Sequence, residues 1–479
     1  MIGRKEERKY LLSLTNEEES QFVAVFGRRR IGKTYLIRET FEHKFTFQHT
    51  GISNNQIEAG IRKREQLNKF AESLKEAGYT GKDKLETWND AFNALKEVIK
   101  QSSEKKKIIF IDELSWMDTR DSGLLSALES FWNGWVTARA EKDVVLIVCA
   151  SATYWMMRNI INAKGGLHNR LTGQVHLKPF TLRECEEYIE SRKILFNRHQ
   201  ILQCYMILGG VPYYWSLLQK GKSLPQNIDH LFLKEGAILS NEYDNLYSAL
   251  FNKPKQYLEI VEALSTANRG ITREEISEIT GIESSGDLTR KLTDLENCGF
   301  IRKYIPFGYK QKKCLYQLID NYTLFYHKFL KENMHNENYW MEMSNSPSVR
   351  AWSGVAFERV CLEHIAQVKA ALGISGVYTE VNSWKCSRDE ENGILGSQID
   401  LLIVRRDQAI NVCEMKYSET EYIIDGKFSR SQKRKISDFI KITGTKYAIH
   451  STLITTYGIE ENSYSGELQG IITADDLFA

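Results

Sequence analysis

The hydrophobic pattern opens with a short unbroken run, Phe22-Val23-Ala24-Val25-Phe26, which predicts a strand buried on both faces. Residues 107–111 and 144–150 repeat it, and helical stretches lie between the runs. Strands alternating with helices from residue 22 to about 180 predict a mainly parallel, doubly wound α/β sheet.

After residue 253 the pattern changes. Residues 255–266 are amphipathic, with Tyr257, Ile260, Val261 and Leu264 on one face, and residues 271–281 read as a short capped helix stopped by Gly281. A third helix from about Ser285 to Cys298 carries Leu288, Leu292 and Leu295 at core spacing, and a hairpin follows around Gly308. That order is the order of a winged helix-turn-helix. An asparagine-rich stretch over 331–350 is expected to be exposed, and beyond it a helical segment over 354–362 precedes strands at 397–404 and 409–417.

With 479 residues the chain is too long for one core, and about three domains are expected. No apolar run approaches the roughly 20 residues that span a membrane, and the first eight residues hold no signal core, so a cytoplasmic protein is expected. Eight cysteines without a C-x-x-C pair argue against a zinc knuckle or redox motif. A net charge of +2 means that any nucleic-acid face must be a local patch.

The strongest chemical signal follows the first strand. Residues 27–34, Gly27-Arg28-Arg29-Arg30-Ile31-Gly32-Lys33-Thr34, have the G-x-x-x-x-G-K-[ST] spacing that wraps nucleotide phosphates, with Tyr35 opening the helix behind them. Backbone amides point inward, Lys33 reaches the β/γ oxygens, and Thr34 joins Asp112 at Mg2+. Glu113 is the residue type that orients or deprotonates an attacking water, which makes hydrolysis of ATP the expected reaction. Ser151, at the end of the third apolar run, either senses the γ-phosphate or simply caps its strand.

Near the C-terminus, Asp400 heads one strand while Glu414 and Lys416 share a face of the next. A hairpin would bring the two carboxylates together as an oxygen site for Mg2+, with an ammonium beside it, which is chemistry for phosphodiester hydrolysis. Residues 427–435 carry five cations and no acid, a segment suited to a DNA backbone. Arg290, Lys291, Tyr309, Lys310, Lys312 and Lys313 are further candidate phosphate contacts in the winged-helix segment.

Ile2-Gly3-Arg4, the phosphate loop, Ile111-Asp112-Glu113-Leu114-Ser115-Trp116, His168-Asn169-Arg170-Leu171 and Gly209-Gly210-Val211-Pro212 together resemble the archaeal and bacterial DEXX-box ATPases, relatives of the AAA+ and STAND NTPases. The resemblance implies that Arg4 lies near adenine, that Pro212 packs on the base from a helical lid, and that Arg170 is an arginine finger or sensor. The spacing of Asp400, Glu414 and Lys416 resembles the PD-(D/E)XK nucleases, which implies a role for the helical Glu358 and a restriction-endonuclease-like α/β domain. The expected organisation is an ATPase core over 1–180, a helical lid over 181–252, a winged helix over 253–330, a linker over 331–350 and the nuclease-like domain over 351–479. The function expected is ATP hydrolysis coupled to DNA binding and metal-dependent cleavage. A signalling or scaffold ATPase with an inactive C-terminal domain is the alternative, and homo-oligomerisation stays open.

Overall fold

The computed structural model describes residues 2–53, 57–81, 84–251, 253–267, 269–309, 313–389 and 394–479. Lys310 and Lys312, expected at the tip of the wing, lie outside them. The chain divides into two units, one of Met1–Pro179 with Leu246–Pro254 and the other of Phe180–Asn245 with Lys255–Ala479.

The first unit holds β1 (Gln21–Phe26), β2 (Phe47–Thr50), β3 (Lys107–Asp112), β4 (Val144–Ala150) and β5 (Gly173–His176). They form one sheet in the order β2-β3-β4-β1-β5, every pair parallel. The apolar runs are continuous because the sheet is covered on both faces. Phe22, Ala24 and Phe26 of β1 enter one core with Phe70, Phe92 and Phe131, whereas Val23 and Val25 enter the other with Ile37 and Leu11. The sequence pattern missed β2 and β5, which are four residues each and in which exposed positions alternate with less exposed ones, too short for a periodic signal.

Between β1 and the helix Lys33–Thr40 the backbone turns sharply at Gly27, where φ is 145°. A Cβ there would lie 2.3 Å from the Leu177 carbonyl oxygen, so only glycine fits. Gly27→Ala is therefore expected to destabilise the first unit by roughly 2 kcal/mol or more, read as a fall in melting temperature.

The second unit holds a helical segment, a hairpin and a second sheet. Helices Pro254–Ser265, Arg273–Thr280 and Gly286–Asn297 precede the antiparallel pair β6 (Ile301–Tyr304) and β7 (Leu315–Leu318). The third helix turns Lys291 inward. It is buried and pairs with Asp287 one turn earlier, as does Arg290, so Lys291 is not the exposed phosphate contact that the sequence suggested.

The asparagine-rich stretch also differs from expectation. Its Trp340 is buried against Phe325 and Phe329, and Asp229 accepts hydrogen bonds from the Trp340 and Met341 amides at 2.8 and 3.0 Å. One large aromatic side chain suffices to draw an otherwise polar segment onto the body.

Strands β8 (Thr379–Asp389), β9 (Ile394–Arg405), β10 (Ala409–Lys416), β11 (Ala448–Thr455) and β12 (Gly470–Thr473) make a mixed sheet in the order β12-β11-β10-β9-β8. The pairs β8–β9 and β9–β10 are antiparallel, β10–β11 and β11–β12 parallel. Helix Pro347–Glu363 precedes the sheet, and helix Gly426–Thr443 crosses from β10 to the parallel β11. Phe307, beyond β6, joins the core of Trp384, Ile399 and Phe439, and its amide donates to the Ser383 carbonyl at 2.7 Å.

Candidate functional site

In the first unit the loop Gly27–Gly32 wraps the start of the helix Lys33–Thr40. Lys33 is buried, and its ammonium donates to the carbonyls of Gly27 and Arg28 at 2.9 and 3.0 Å. It is thus held over the loop whose amides would face a phosphate. Arg30 and Gly32 both take left-handed backbone angles, Ile31 is buried behind the loop, Arg29 is partly exposed, and Tyr35 is exposed.

Parallel pairing through β4 places the end of β3 beside this loop. Thr34 donates its hydroxyl to the buried Asp112 carboxylate at 2.6 Å, which joins two hard oxygen donors of the kind Mg2+ takes together with waters and phosphate oxygens. Glu113, at φ 50°, receives both the amide and the hydroxyl of Ser151 on Oε2, at 3.1 and 2.8 Å. Burial pushes the Glu113 carboxyl above the usual range and Asp112 adds to this, while Lys33 and the Ser151 hydrogen bonds pull the other way. Ser151 therefore holds a carboxylate whose affinity for a proton is raised.

Arg4 is buried just before the helix Lys5–Ser13 and lies 3.7 Å from Glu7. Arg170 is exposed in this unit, just before β5. Pro212 opens the helix Pro212–Ser216 of the second unit.

A second constellation lies in the mixed sheet. Leu401 pairs with Cys413, so Asp400 and Glu414 follow at neighbouring positions on adjacent antiparallel strands and share a face. Lys416 donates to Glu414 Oε1 and Lys435, from the helix Gly426–Thr443, to Oε2, both at 2.8 Å. Burial works to raise the Glu414 pKa, but the two ammonium groups outweigh it and hold the carboxyl below its usual range.

Glu358, on the helix Pro347–Glu363, feels the same groups. Burial and then the Asp400 charge push it up to about 7, Glu414 adds to the rise, and Arg359 and Lys416 oppose it. The structure thus brings Glu358, Asp400, Glu414 and Lys416 into one electrostatic cluster. A raised acid binds its proton more tightly in the folded chain, so stability falls as pH rises from about 4.5 to 7, by up to about 3 kcal/mol. Glu358→Gln should remove that slope, which urea unfolding at pH 5 and pH 7.5 would reveal.

Sequence reasoning missed the cations on the other side of Asp400. Arg302 of β6 and the buried Arg359 line a small cleft with Asp400 and Gln398, and Gln398 donates to Asp400 at 2.6 Å. Burial and the neighbouring Arg359 push Arg302 down to about 10. The alternation of β6 was the one available signal, and it does not say what lies opposite. Among the described residues no three His, Cys, Asp or Glu side chains form a group able to hold a metal ion. No helix there is long and apolar enough to cross a membrane.

Comparison with known proteins agrees with the loop geometry. Residues 1–218 match the family described as an ATPase domain predominantly from Archaea. A protein of Methanocaldococcus jannaschii of no stated function is 25% identical over 425 residues, 87% of this chain and 88% of its own. An ATP-binding protein of the same organism is 42% identical over 43 residues, 9% of this chain and 73% of its own. Among solved structures, a Walker-type ATPase of Pyrococcus abyssi aligns over 68% of this chain and 96% of its own, at 14% identity and a TM-score of 0.47. The ORC2 protein of Aeropyrum pernix in its ADPNP–ADP complexes aligns over 72% and 96%, at 14% identity and a TM-score of 0.41. The match over residues 1–218, together with the phosphate-loop geometry, supports an ATP-binding P-loop ATPase function for the N-terminal part of this chain.

Proposed function

We propose that this ATPase is a nucleic-acid enzyme, in which the nucleotide state of the first unit controls a DNA-binding, metal-dependent nuclease in the second. The observation that carries it is the convergence of Glu358, from the helix Pro347–Glu363, with Asp400, Glu414 and Lys416 on adjacent strands, the set that a PD-(D/E)XK site requires. In this reading Lys33 and Thr34 hold the ATP phosphates and Mg2+ with Asp112, and Glu113 activates water. Asp400 and Glu414 supply oxygen donors for a second divalent ion, and Lys416 steadies the developing charge on a scissile phosphate. The three helices and hairpin over 254–318 serve as a winged helix, with Lys313 and the ring beneath it, Tyr309, reaching the backbone.

Within the second unit, the helix Arg198–Leu208 meets the end of β10 beside Lys416. Gln203 donates to the Tyr417 hydroxyl at 3.2 Å, and His199 lies 3.1 Å from that hydroxyl, one residue beyond Lys416. His364 accepts from the Leu182 amide at 3.0 Å, and burial keeps its pKa down at about 4, so the ring is a neutral acceptor.

The test is cleavage of linear, circular and single-stranded DNA with Mg2+ or Mn2+, with and without ATP. Lys416→Ala should lose cleavage by about a hundredfold or more while ATP turnover persists. Wild-type protein that cuts nothing under any of these conditions would sink the nuclease.

A second reading has its own support. Both Glu414 oxygens are held by lysines, as in a relic site that only binds a partner. A nucleotide-dependent change in mass without cleavage would select that scaffold ATPase.

A further inference from the structure

We infer that Lys435 and the cavity beside it form a phosphate subsite for a nucleic-acid strand, next to the Glu414–Lys416 pair. The inference rests on the nucleic-acid reading above and adds a residue and a place to it. A cavity of about 330 Å³ lies between the end of β10 and the helix Gly426–Thr443, and Lys416, Tyr422, Lys427, Ser431 and Lys435 line it. That volume accommodates a phosphodiester with part of its sugar.

The helix phase puts these groups there. Phe428, Ser431, Gln432 and Lys435 recur at spacings of three, four and seven, so they share the face turned toward β10. Lys433 points elsewhere and pairs with Glu467 at 2.8 Å. The 427–435 cation run is therefore not one undivided solvated face.

The charge balance of the cavity favours an anion. Lys416, Lys427 and Lys435 face it, against Glu414 and Asp425, and Asp425 already accepts from the Phe428 amide at 2.7 Å as the helix cap. Two ammonium groups share the single Glu414 carboxylate, so one of them can leave without stripping it of a partner. Lys435 comes from the helix across the cavity, whereas Lys416 shares a strand with Glu414. We therefore assign Lys435 as the cation that passes from Glu414 to the incoming phosphate, which also frees one Glu414 oxygen. Tyr422 and Phe428, 5.6 Å apart edge to face, give the flanking base an aromatic wall.

The experiment is equilibrium binding of fluorescent single-stranded and duplex oligonucleotides, followed by anisotropy over a salt series in Ca2+. The proteins compared are wild type, Lys435→Gln, Lys435→Arg and Lys441→Gln. Lys441 lies in the last turn of the same helix, outside the cavity, so its loss removes the same charge at a distance. Lys435→Gln should weaken binding about tenfold and lower the salt slope by about one, Lys435→Arg should keep most of the affinity, and Lys441→Gln should change little. Equal weakening by Lys435→Gln and Lys441→Gln would overturn the subsite and leave the nucleic-acid reading standing. Absence of binding by the wild type would remove both. Because Lys435 and Lys441 lie in the second unit, a thermal melt of each variant, rather than ATP turnover in the first unit, reports whether that unit is folded.

Discussion

Replacing Lys33 by alanine is expected to lower ATP turnover by a factor on the order of 10² to 10³. The size of the effect comes from two roles of one ammonium. Lys33 is buried over the carbonyls of Gly27 and Arg28, so it is already placed and desolvated where the phosphate charge develops. It is also the cation that opposes the rise in the Glu113 pKa. Without it Glu113 holds its proton to a higher pH, so the loss should be deepest in acid and partly relieved as pH rises. Steady-state phosphate release from pH 6 to 9 checks both the magnitude and its slope. Turnover unchanged in Lys33→Ala would mean that this loop is not where ATP is hydrolysed.

The second large effect is expected at Asp400. If the mixed sheet carries the proposed nuclease, Asp400→Asn should reduce cleavage on the order of 10³-fold, worth about 4 kcal/mol of transition-state stabilisation, and leave ATP hydrolysis in place. Asparagine is the informative choice because Asp400 also has a structural load. Its charge acts on both Arg302 and Arg359, two guanidinium groups that burial already disfavours. Both substitutions remove that charge, but asparagine keeps the side-chain shape and an oxygen that can accept from Gln398, whereas alanine removes these too and should cost more stability. A thermal melt beside the cleavage assay separates the two. Cleavage intact in a folded Asp400→Asn protein would exclude the carboxylate from the reaction.

What could be read from the residues in order is what depends on neighbours in sequence. β1, β3 and β4 announced themselves because a strand covered on both faces must be apolar at every position, as Phe22–Phe26 and Val144–Ala150 are. The phosphate loop was legible because one turn of backbone sets its geometry, including the glycine that alone fits beneath the Leu177 carbonyl. Strands β2 and β5 were not legible, being short and held by their neighbours rather than by their own pattern. The run over 427–435 was visible as charge, but its sequence could not say that Lys435 turns inward to Glu414 while Lys433 turns out to Glu467. The ring of Trp340 likewise made a buried anchor of a stretch that composition marked as exposed.

By itself, then, the sequence determined the alternation of strand and helix, the phosphate loop with Asp112 and Glu113, and the pairing of Asp400 with Glu414 and Lys416 across a hairpin, because each is a matter of short-range periodicity and backbone geometry. Only the tertiary structure decided that Ser151 clasps Glu113, that Arg302 faces Asp400 from another segment, and that Lys435 completes the Glu414 cluster. The physical reason is that a side chain's charge acts through space over a few ångströms, whereas its partners lie from about twenty to almost a hundred residues away along the chain, at distances that only packing closes.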